Sequence, residues 1–286
     1  MPEAPPDERI LSFGLGFVRD AARMQLDAFG SASRELKGPL DVVTEADHAI
    51  EEAFKRRLRE AFPSHGFVGE ETTAADDAGD SGGPAADPAH GWAWVLDPID
   101  GTVNYAYGLG GFCVSLGLLR GGRPAAGWVL DPLRDELFAA VAGGGATLNG
   151  EPLAPLPPAV GEADGAMPVG GSSGLIHRAG GEPAMMDAVG KLRIMGSQAL
   201  QLCSVAAGRM RAALNPEAKL WDDAAGALIV AEAGGRYGRL DGSAVFPLPA
   251  GDPAWAGEPI GSLAARTGEF TPLSETFCAA GVDGPE

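Results

Sequence analysis

The hydrophobic positions at the start of the chain recur at helical spacing. Apolar side chains fall three or four residues apart over residues 8–29 and again over residues 44–61, where Ile50 and Leu58 lie on one stripe. The pattern predicts two amphipathic helices. Residues 31–41 between them are small, polar and charged, and they are predicted to form a loop.

Beyond residue 62 the pattern changes to short apolar runs bounded by turn residues, which predicts strands. Phe67-Val68-Gly69 is the first run, and residues 72–91, rich in Asp, Gly, Ala and Pro, are predicted to form a loop. The next runs are separated by turn sequences, as in an antiparallel meander. They cover residues 92–96, 112–119, 125–130 and 136–142.

After residue 150 predicted strands and helices alternate, which favours a sheet covered by a helical layer. Residues 151–165 resemble a linker. The alternating segments are strands at 166–169, 192–195, 211–214 and 236–240 and helices at 182–191, 198–207 and 223–233, with 276–280 closing the set. We therefore predict an α+β or α/β fold with two subdomains, 1–150 and 151–286, and an active site between them.

Composition narrows the class of protein. The chain has 286 residues, of which 45% are hydrophobic, and its net charge of −18 argues against nucleic acid and anionic membranes as partners. Its three cysteines are widely spaced and odd in number, so neither a disulfide framework nor a CxxC metal site is indicated. The sequence shows neither a signal-peptide pattern nor an apolar run of about 20 residues. These features predict a reduced, cytoplasmic protein.

The segment from Asp97 to Thr102, Asp-Pro-Ile-Asp-Gly-Thr, carries the main chemical signal. Two carboxylates three residues apart at the end of an apolar strand are costly unless they are paired. If Gly101–Tyr105 begins a helix, its free N–H groups form an anion site, and a cation must then bridge the anion and the carboxylates. Hard oxygen ligands beside a phosphate favour Mg²⁺. A turn with a capping Asp and a tight Gly is the structural alternative.

Three further acidic segments stand at predicted element ends, and each also has a purely structural explanation. Glu70 and Glu71 follow the first short strand and can be solvated surface groups. Asp222 precedes an apolar helix and can be its N-cap. Asp47 follows Thr44 at the spacing of a capping box.

These pieces together resemble the inositol monophosphatase family. Gly-Glu-Glu at 69–71, Trp-x-x-Asp-Pro-x-Asp-Gly-Thr at 94–102 and Trp-Asp-x-Ala-Ala at 221–225 occur in the family's order and spacing. The resemblance implies a layered αβαβα sandwich and a lithium-sensitive, usually dimeric phosphatase of small phosphate monoesters. It also implies two or three Mg²⁺ ions, with Mn²⁺ as a substitute.

The resemblance assigns roles by position. The implied metal ligands are Glu70, Asp97, Asp100, Asp222 and the carbonyl oxygen of Ile99. Thr102 and Asp47, together with Glu70, are implied to orient and activate the attacking water. The backbone N–H groups of Gly101 and Thr102 are implied to hold the phosphate.

The substrate is less constrained than the reaction. Family members that hydrolyse inositol phosphates carry an acidic residue seven positions before the Asp of the Trp-Asp-x-Ala-Ala motif, where this chain has Asn215; Glu217 stands two residues further on. Gly196-Ser197 matches a family pair near the substrate, although Ser197 also suits a helix cap. Several substrates therefore stay open: inositol 1-phosphate-like polyol or sugar phosphates, histidinol phosphate, 3′-phosphoadenosine 5′-phosphate, NADP and fructose 1,6-bisphosphate. The alternative outside the enzymes is a non-catalytic scaffold protein with the same fold.

Overall fold

The computed structural model describes residues 6–31, 34–36, 42–71, 91–156, 166–179 and 183–281. Over these residues five layers stack in the order helix, sheet, helix, sheet, helix. The predicted αβαβα sandwich is confirmed, and the layers arise because each sheet has two apolar faces that need cover.

The first layer consists of α1 (Glu8–Ala28) and α2 (Glu45–Ala61). Their apolar stripes, including Phe17 and Phe54, are buried against the first sheet. Two short strands, β1 (Arg34–Leu36) and β2 (Val42–Thr44), pair antiparallel just before α2. The loop prediction for residues 31–41 was therefore wrong at residues 34–36.

The first sheet has seven strands in the order β3-β4-β5-β6-β7-β8-β9. The strands are β3 (Gly66–Gly69), β4 (Trp92–Asp100), β5 (Cys113–Arg120), β6 (Arg123–Asp131), β7 (Glu136–Val141), β8 (Gly145–Leu148) and β9 (Glu151–Pro152). The predicted meander is confirmed, because β4 to β7 pair antiparallel in sequence order. The predicted linker begins inside this sheet, since β9 pairs with β8.

The middle layer consists of α6 (Gln198–Ala206) and α7 (Leu220–Glu232). Both helices are apolar on nearly all sides, which fits their position between two sheets. Helix α7 lies very close to the first sheet because small residues meet there. A Cβ on Gly117 would lie 2.9 Å from the Ala224 Cβ, and one on Gly127 would lie 2.9 Å from the Ala225 Cα.

The second sheet has five strands in the order β11-β10-β12-β14-β13. They are β10 (Val169–Gly171), β11 (Leu192–Ile194), β12 (Ala212–Asn215), β13 (Gly235–Arg239) and β14 (Ser262–Arg266). Strands β10, β11 and β12 run parallel, so their carboxyl ends share one edge. The remaining helices are α3 (Thr102–Ala106), α4 (Ser173–Ala179), α5 (Pro183–Val189) and α8 (Phe270–Ala279), with a 3₁₀ turn at Pro253–Ala256.

Several element predictions need correction. Strand β4 continues through Asp100 instead of ending before Asp97, with a register shift between these two residues. Helix α7 starts three residues earlier than predicted, residues 276–280 fall largely in helix α8, and β14 and α4 were not predicted. Most of the predicted loop at 72–91 lies outside the described residues, as do residues 157–165. Among the described helices, each is too short or too polar to cross a bilayer.

Candidate active site

Strand β4 delivers the central acidic segment into the core of the molecule. Asp97 is 2% exposed and Asp100 is 6% exposed. The register shift between them turns the strand, so that the Ile99 N–H donates to Asp97 Oδ1 at 3.0 Å and both carboxylates reach one site. Gln25 of α1 stabilises the backbone at this register shift, because its Nε2 donates to the Pro98 carbonyl at 2.7 Å.

Helix α3 begins directly after this segment, as predicted. Gly101 is its N-cap and has φ = 97°, a backbone conformation that favours glycine. A Cβ at Gly101 would also lie 2.8 Å from the carbonyl oxygen of Gly111. Thr102 donates its hydroxyl proton to the Ile99 carbonyl at 2.8 Å, so the other face of this hydroxyl oxygen is left as an acceptor.

The part of the chain that forms the second sheet and the middle helices supplies the groups that hold Asp100. Ser197 Oγ donates to Asp100 Oδ2 at 2.6 Å, and the N–H groups of Gln198 and Ala199 donate to the two carboxylate oxygens at 3.1 and 2.6 Å. The amino end of α6 thus offers several donors to one carboxylate, as helix dipoles favour. Ser197 also caps α6, because its hydroxyl oxygen accepts the Leu200 N–H. The helix cap expected at Ser197 is therefore present as well. The buried thiol of Cys113 lies 3.7 Å from Asp100 Oδ2.

Helix α7 places Asp222 opposite Asp97 and Asp100. Asp222 is the third residue of the helix, not its N-cap, and its Oδ2 accepts the N–H of Lys219 at 2.7 Å. Trp221 is 4% exposed, and its carbonyl accepts the Ser115 hydroxyl at 3.2 Å, which ties the start of α7 to β5. The tryptophan therefore anchors the turn that carries Asp222.

Three carboxylates meet as a result. Asp97, Asp100 and Asp222, here called the β4–α7 cluster, each offer an oxygen within 4.8 Å of the others. Burial and, after it, the neighbouring charges of Glu70, Asp100 and Asp222 raise the pKa of Asp97 well above its usual range. Burial is also the main cause of the raised pKa of Asp100 and Asp222. Such a set is unfavourable by itself and suits a divalent cation with hard oxygen ligands.

A second acidic group lies beside the first. Asp47, Glu70 and Glu71, here called the α2–β3 cluster, also offer oxygens within 4.8 Å of one another. Asp47 forms the predicted capping contact, because its Oδ2 accepts the Thr44 N–H at 2.8 Å and the Thr44 hydroxyl at 2.6 Å. The Glu70 N–H donates to the Leu96 carbonyl at 3.2 Å, which places Glu70 next to the Asp97 end of β4.

The two candidate substrate residues differ in their surroundings. Asn215 is buried at the end of β12, and its Oδ1 accepts the Glu217 N–H at 3.0 Å, so it closes a turn. Glu217 is exposed, and its carboxylate lies against Gly174, where a Cβ would overlap it. The segments after β10, β11 and β12 leave one sheet edge, and the segment after β11 leads into the α6 groups that hold Asp100.

A buried polar network behind the site has no counterpart in the sequence predictions. Asp223 accepts Gln198 Nε2 at 3.0 Å and the Tyr237 hydroxyl at 3.0 Å, and Gln198 Nε2 also reaches Ser262 Oγ at 3.2 Å. Burial raises the pKa of Asp223 to about 6, although these hydrogen bonds lower it. The network joins the first turns of α6 and α7. Gln198 and Asp223 lie at ordinary helix starts, and Tyr237 and Ser262 lie in strands β13 and β14, so only the Gln198 position beside the predicted cap offered a signal.

Comparison with known proteins places this fold and site in one family. The chain matches the sequence model of the inositol monophosphatase family over residues 7–271. It is 41% identical over 212 residues to inositol monophosphatase 2 of Solanum lycopersicum, covering 70% of this chain and 76% of that protein. It is 33% identical over 231 residues to the inositol-1-monophosphatase of Bacillus subtilis, covering 79% and 83%.

A solved structure agrees with the sequence comparisons. Staphylococcus aureus IMPase-II with bound inositol monophosphate superposes with a TM-score of 0.72 at 27% identity, and 96% of each chain is covered. The chain belongs to the inositol monophosphatase family, and the resemblance inferred from the three motifs is confirmed. It is accordingly a phosphoric monoester hydrolase of a metal-dependent phosphatase family.

Proposed function

We propose that this protein is a Mg²⁺-dependent phosphatase that hydrolyses the phosphate monoester of a small hydroxylated molecule, such as an inositol 1-phosphate-like polyol or a sugar phosphate. The observation that carries the proposal is the β4–α7 cluster, because three carboxylates within 4.8 Å of one another, two of them buried and one partly buried, are best balanced by a cation. The acceptor face of Thr102 beside this cluster suits the orientation of a water molecule.

The ligand set proposed for the cation combines both clusters. Asp97, Asp100 and Asp222 contribute carboxylates, Glu70 adds a fourth, and Ile99 offers the carbonyl oxygen that also accepts the Thr102 hydroxyl. We propose two or three Mg²⁺ ions, with Mn²⁺ as a substitute. When bound, the ions supply positive charge that offsets the phosphate dianion and lowers the pKa of a coordinated water.

The remaining roles fall to groups of this chain. Thr102, whose hydroxyl proton is donated to the Ile99 carbonyl, accepts a hydrogen bond from the attacking water, and Asp47 and Glu70 orient that water. The N–H groups of Gly101 and Thr102 at the start of α3 bind phosphate oxygens. Because phosphoryl transfer depends mainly on charge and alignment, this arrangement needs no covalent nucleophile.

The substrate's hydroxyl groups are proposed to contact Asn215 and Glu217, whereas the candidate Ser197 is 0% exposed and its hydroxyl group is bonded to Asp100 and Leu200. Glu217 suits this role best, since its carboxylate is exposed, whereas Asn215 already accepts the Glu217 N–H. A second phosphate on the substrate would need a free cation. Arg211 does not offer one, because it pairs with Glu269 at 3.3 Å and donates to the Ala188 carbonyl.

A nucleotide substrate is the second candidate. The same staphylococcal IMPase-II has also been solved with 2′AMP bound, at a TM-score of 0.74 and 26% identity to this chain. Bisphosphate nucleotides, fructose 1,6-bisphosphate and histidinol phosphate are therefore tested with the polyol phosphates. We also propose a homodimer and inhibition by Li⁺, while cytoplasmic location stays a prediction of the sequence.

The test is phosphate release by the purified protein from a panel of these monoesters, with Mg²⁺ or Mn²⁺, with and without Li⁺. We expect metal-dependent release that is fastest with a polyol or sugar monophosphate, suppressed by Li⁺ and absent in Asp222→Asn. Release without metal, or equal release by Asp222→Asn, would contradict the proposed site. Sedimentation of the same sample tests the dimer.

A further inference from the structure

Helix α2 carries a row of charged residues on the face that it buries. Asp47, Glu51 and Lys55 follow one another at four-residue intervals and are 0%, 1% and 9% exposed. Residues at this spacing lie above one another on one side of a helix. Asp47 belongs to the α2–β3 cluster, so the row leads directly away from the site, and Glu51 stands one turn behind it.

Glu51 contacts the backbone that carries Glu70. Its Oε2 accepts the N–H of Glu71 at 3.0 Å. The carboxylate can come this close only because residue 69 is glycine: a Cβ there would overlap Oε2 and would lie 2.7 Å from the Glu51 Cδ. The glycine of the Gly-Glu-Glu motif thus accommodates the Glu51 carboxylate.

Lys55 offsets the charge of the buried carboxylate. Its Nζ lies 3.9 Å from Glu51 Oε1 and 2.6 Å from the exposed Glu52 carboxylate. The Lys55 side chain is only 11% exposed, so it is held along the buried face of α2. The Glu51 carboxylate thus lies between the Lys55 ammonium group and the Glu71 N–H group from which it accepts a hydrogen bond.

Glu70 is consequently held from two sides. Its own N–H donates to Leu96 of β4, and the next N–H, that of Glu71, donates to Glu51 of α2. These two bonds set the orientation of the peptide units on either side of the Glu70 Cα. The direction of the Glu70 side chain toward Asp97 and Asp47 follows from that orientation.

We propose that Glu51 is a positioning residue which, through Gly69 and the Glu71 N–H, directs the Glu70 carboxylate toward the divalent cation. The inference rests on the proposed function, because it assumes that Glu70 is a metal ligand. Glu51 acts by the reach of its acceptor oxygen rather than by its negative charge.

The experiment separates the effect of side-chain length at position 51 on Mg²⁺ affinity from the effect of its charge. Glu51→Asp keeps the charge but shortens the side chain by one methylene group, whereas Glu51→Gln keeps the length and an acceptor oxygen but removes the charge. Mg²⁺ is titrated calorimetrically into the metal-free proteins, and the metal-free melting temperature is recorded. We expect Glu51→Asp to weaken Mg²⁺ binding about tenfold or more, as is usual for groups that orient ligands, and Glu51→Gln to stay within about threefold of wild type.

A double variant tests whether the effect passes through Glu70. In a Glu70→Ala background, Glu51→Asp is expected to cause no further loss of Mg²⁺ affinity, since the ligand that it orients is gone. Glu52→Gln is the matched control on the exposed side of the same helix, 65% exposed and paired with the same Lys55, and it should bind Mg²⁺ like wild type.

Three outcomes would overturn the inference. If Glu51→Asp binds Mg²⁺ like wild type and only melts at a lower temperature, the role of Glu51 is purely structural. If Glu51→Gln loses as much Mg²⁺ affinity as Glu51→Asp, the effect is due to charge. If Glu51→Asp weakens Mg²⁺ binding equally in the absence of Glu70, the effect does not pass through Glu70. Failure of the proposed function is separate, because wild-type protein would then show no Mg²⁺ binding and no metal-dependent phosphate release.

Discussion

The two carboxylate clusters of the site are held in different ways. In the β4–α7 cluster, Asp100 accepts three donors from the amino end of α6, and Asp222 accepts a backbone N–H of its own helix start. In the α2–β3 cluster, Asp47 is held by its capping contact with Thr44, and the Glu70 segment donates to the Leu96 carbonyl and to Glu51. The first cluster is therefore supported by helices α6 and α7 from the second half of the chain, whereas these contacts of the second cluster come from the first half.

The largest effect is expected from neutralising one carboxylate of the β4–α7 cluster. Asp97→Asn or Asp222→Asn should abolish metal-dependent phosphate release while the fold stays intact. Because the three neighbouring carboxylates repel one another, the metal-free melting temperature should stay level or rise. The rise in melting temperature that Mg²⁺ gives to wild type should disappear. Phosphate release and thermal unfolding with and without Mg²⁺ check this, and full activity in either variant would remove the assignment.

Thr102 should affect turnover rather than metal affinity. Thr102→Ala removes the hydroxyl that donates to Ile99 and faces the site with its acceptor side. We expect kcat to fall about a hundredfold, because the attacking water loses the acceptor that orients it. Calorimetry should find Mg²⁺ affinity close to wild type, and Thr102→Ser should recover most of the rate. An equal loss of metal affinity would contradict the role given to Thr102.

Ser197 tests how redundant the support of Asp100 is. Ser197→Ala removes one of the three donors from α6 and the cap of that helix, but the N–H groups of Gln198 and Ala199 and the Cys113 thiol stay. The free energy of unfolding should fall by about 1–2 kcal/mol, and Mg²⁺ affinity should fall only severalfold. Ser204→Ala, on the same helix but bonded to the Leu200 carbonyl, is the matched control for urea unfolding and calorimetry. Complete loss of metal binding in Ser197→Ala would show that α6 is not a redundant support.

Substitution of His65 is expected to have the smallest effect. It separates the pH response of the two carboxylate clusters from that of the hydrophobic core between the first helical layer and the first sheet. Its Nδ1 accepts Trp94 Nε1 at 3.0 Å, and burial lowers the pKa of the imidazole. The folded state therefore favours neutral His65, and its contribution to stability is complete above the usual pKa of about 6.5. The contribution is lost as pH falls from there through the folded pKa. Metal-free unfolding of wild type and His65→Gln between pH 5 and 8 should show a weaker acid loss in the variant, and parallel curves would exclude His65 as the cause.

Sequence patterns predicted the elements well where hydrophobic periodicity was long and turns were clear. Helices α1 and α2 and the meander β4–β7 were found with small boundary shifts. Periodicity did not reveal the shift inside Asp97-Pro98-Ile99-Asp100, because a bulge depends on the partner strand. The early start of α7 followed from Asp222 capping its own helix, which a search for an N-cap Asp places too late.

The candidate site was predicted only as a list of residues with spacing. Motifs indicated Asp97, Asp100 and Asp222, and the structure brings these three within 4.8 Å of one another. The supporting groups could not be predicted in the same way. Glu51 looks like any charged residue on an amphipathic helix, and its role is visible only when its contact with the Glu71 N–H and the close approach to Gly69 are known.

The donors to Asp100 have a consequence for biogenesis. Asp100 leaves the ribosome long before Ser197, Gln198 and Ala199, so during synthesis its carboxylate has none of these three partners. A nascent chain that ends near residue 150 contains strand β4 but lacks α6 and α7. A fragment of this kind is therefore expected to be inactive, because it lacks the groups that hold Asp100 as well as Asp222 itself.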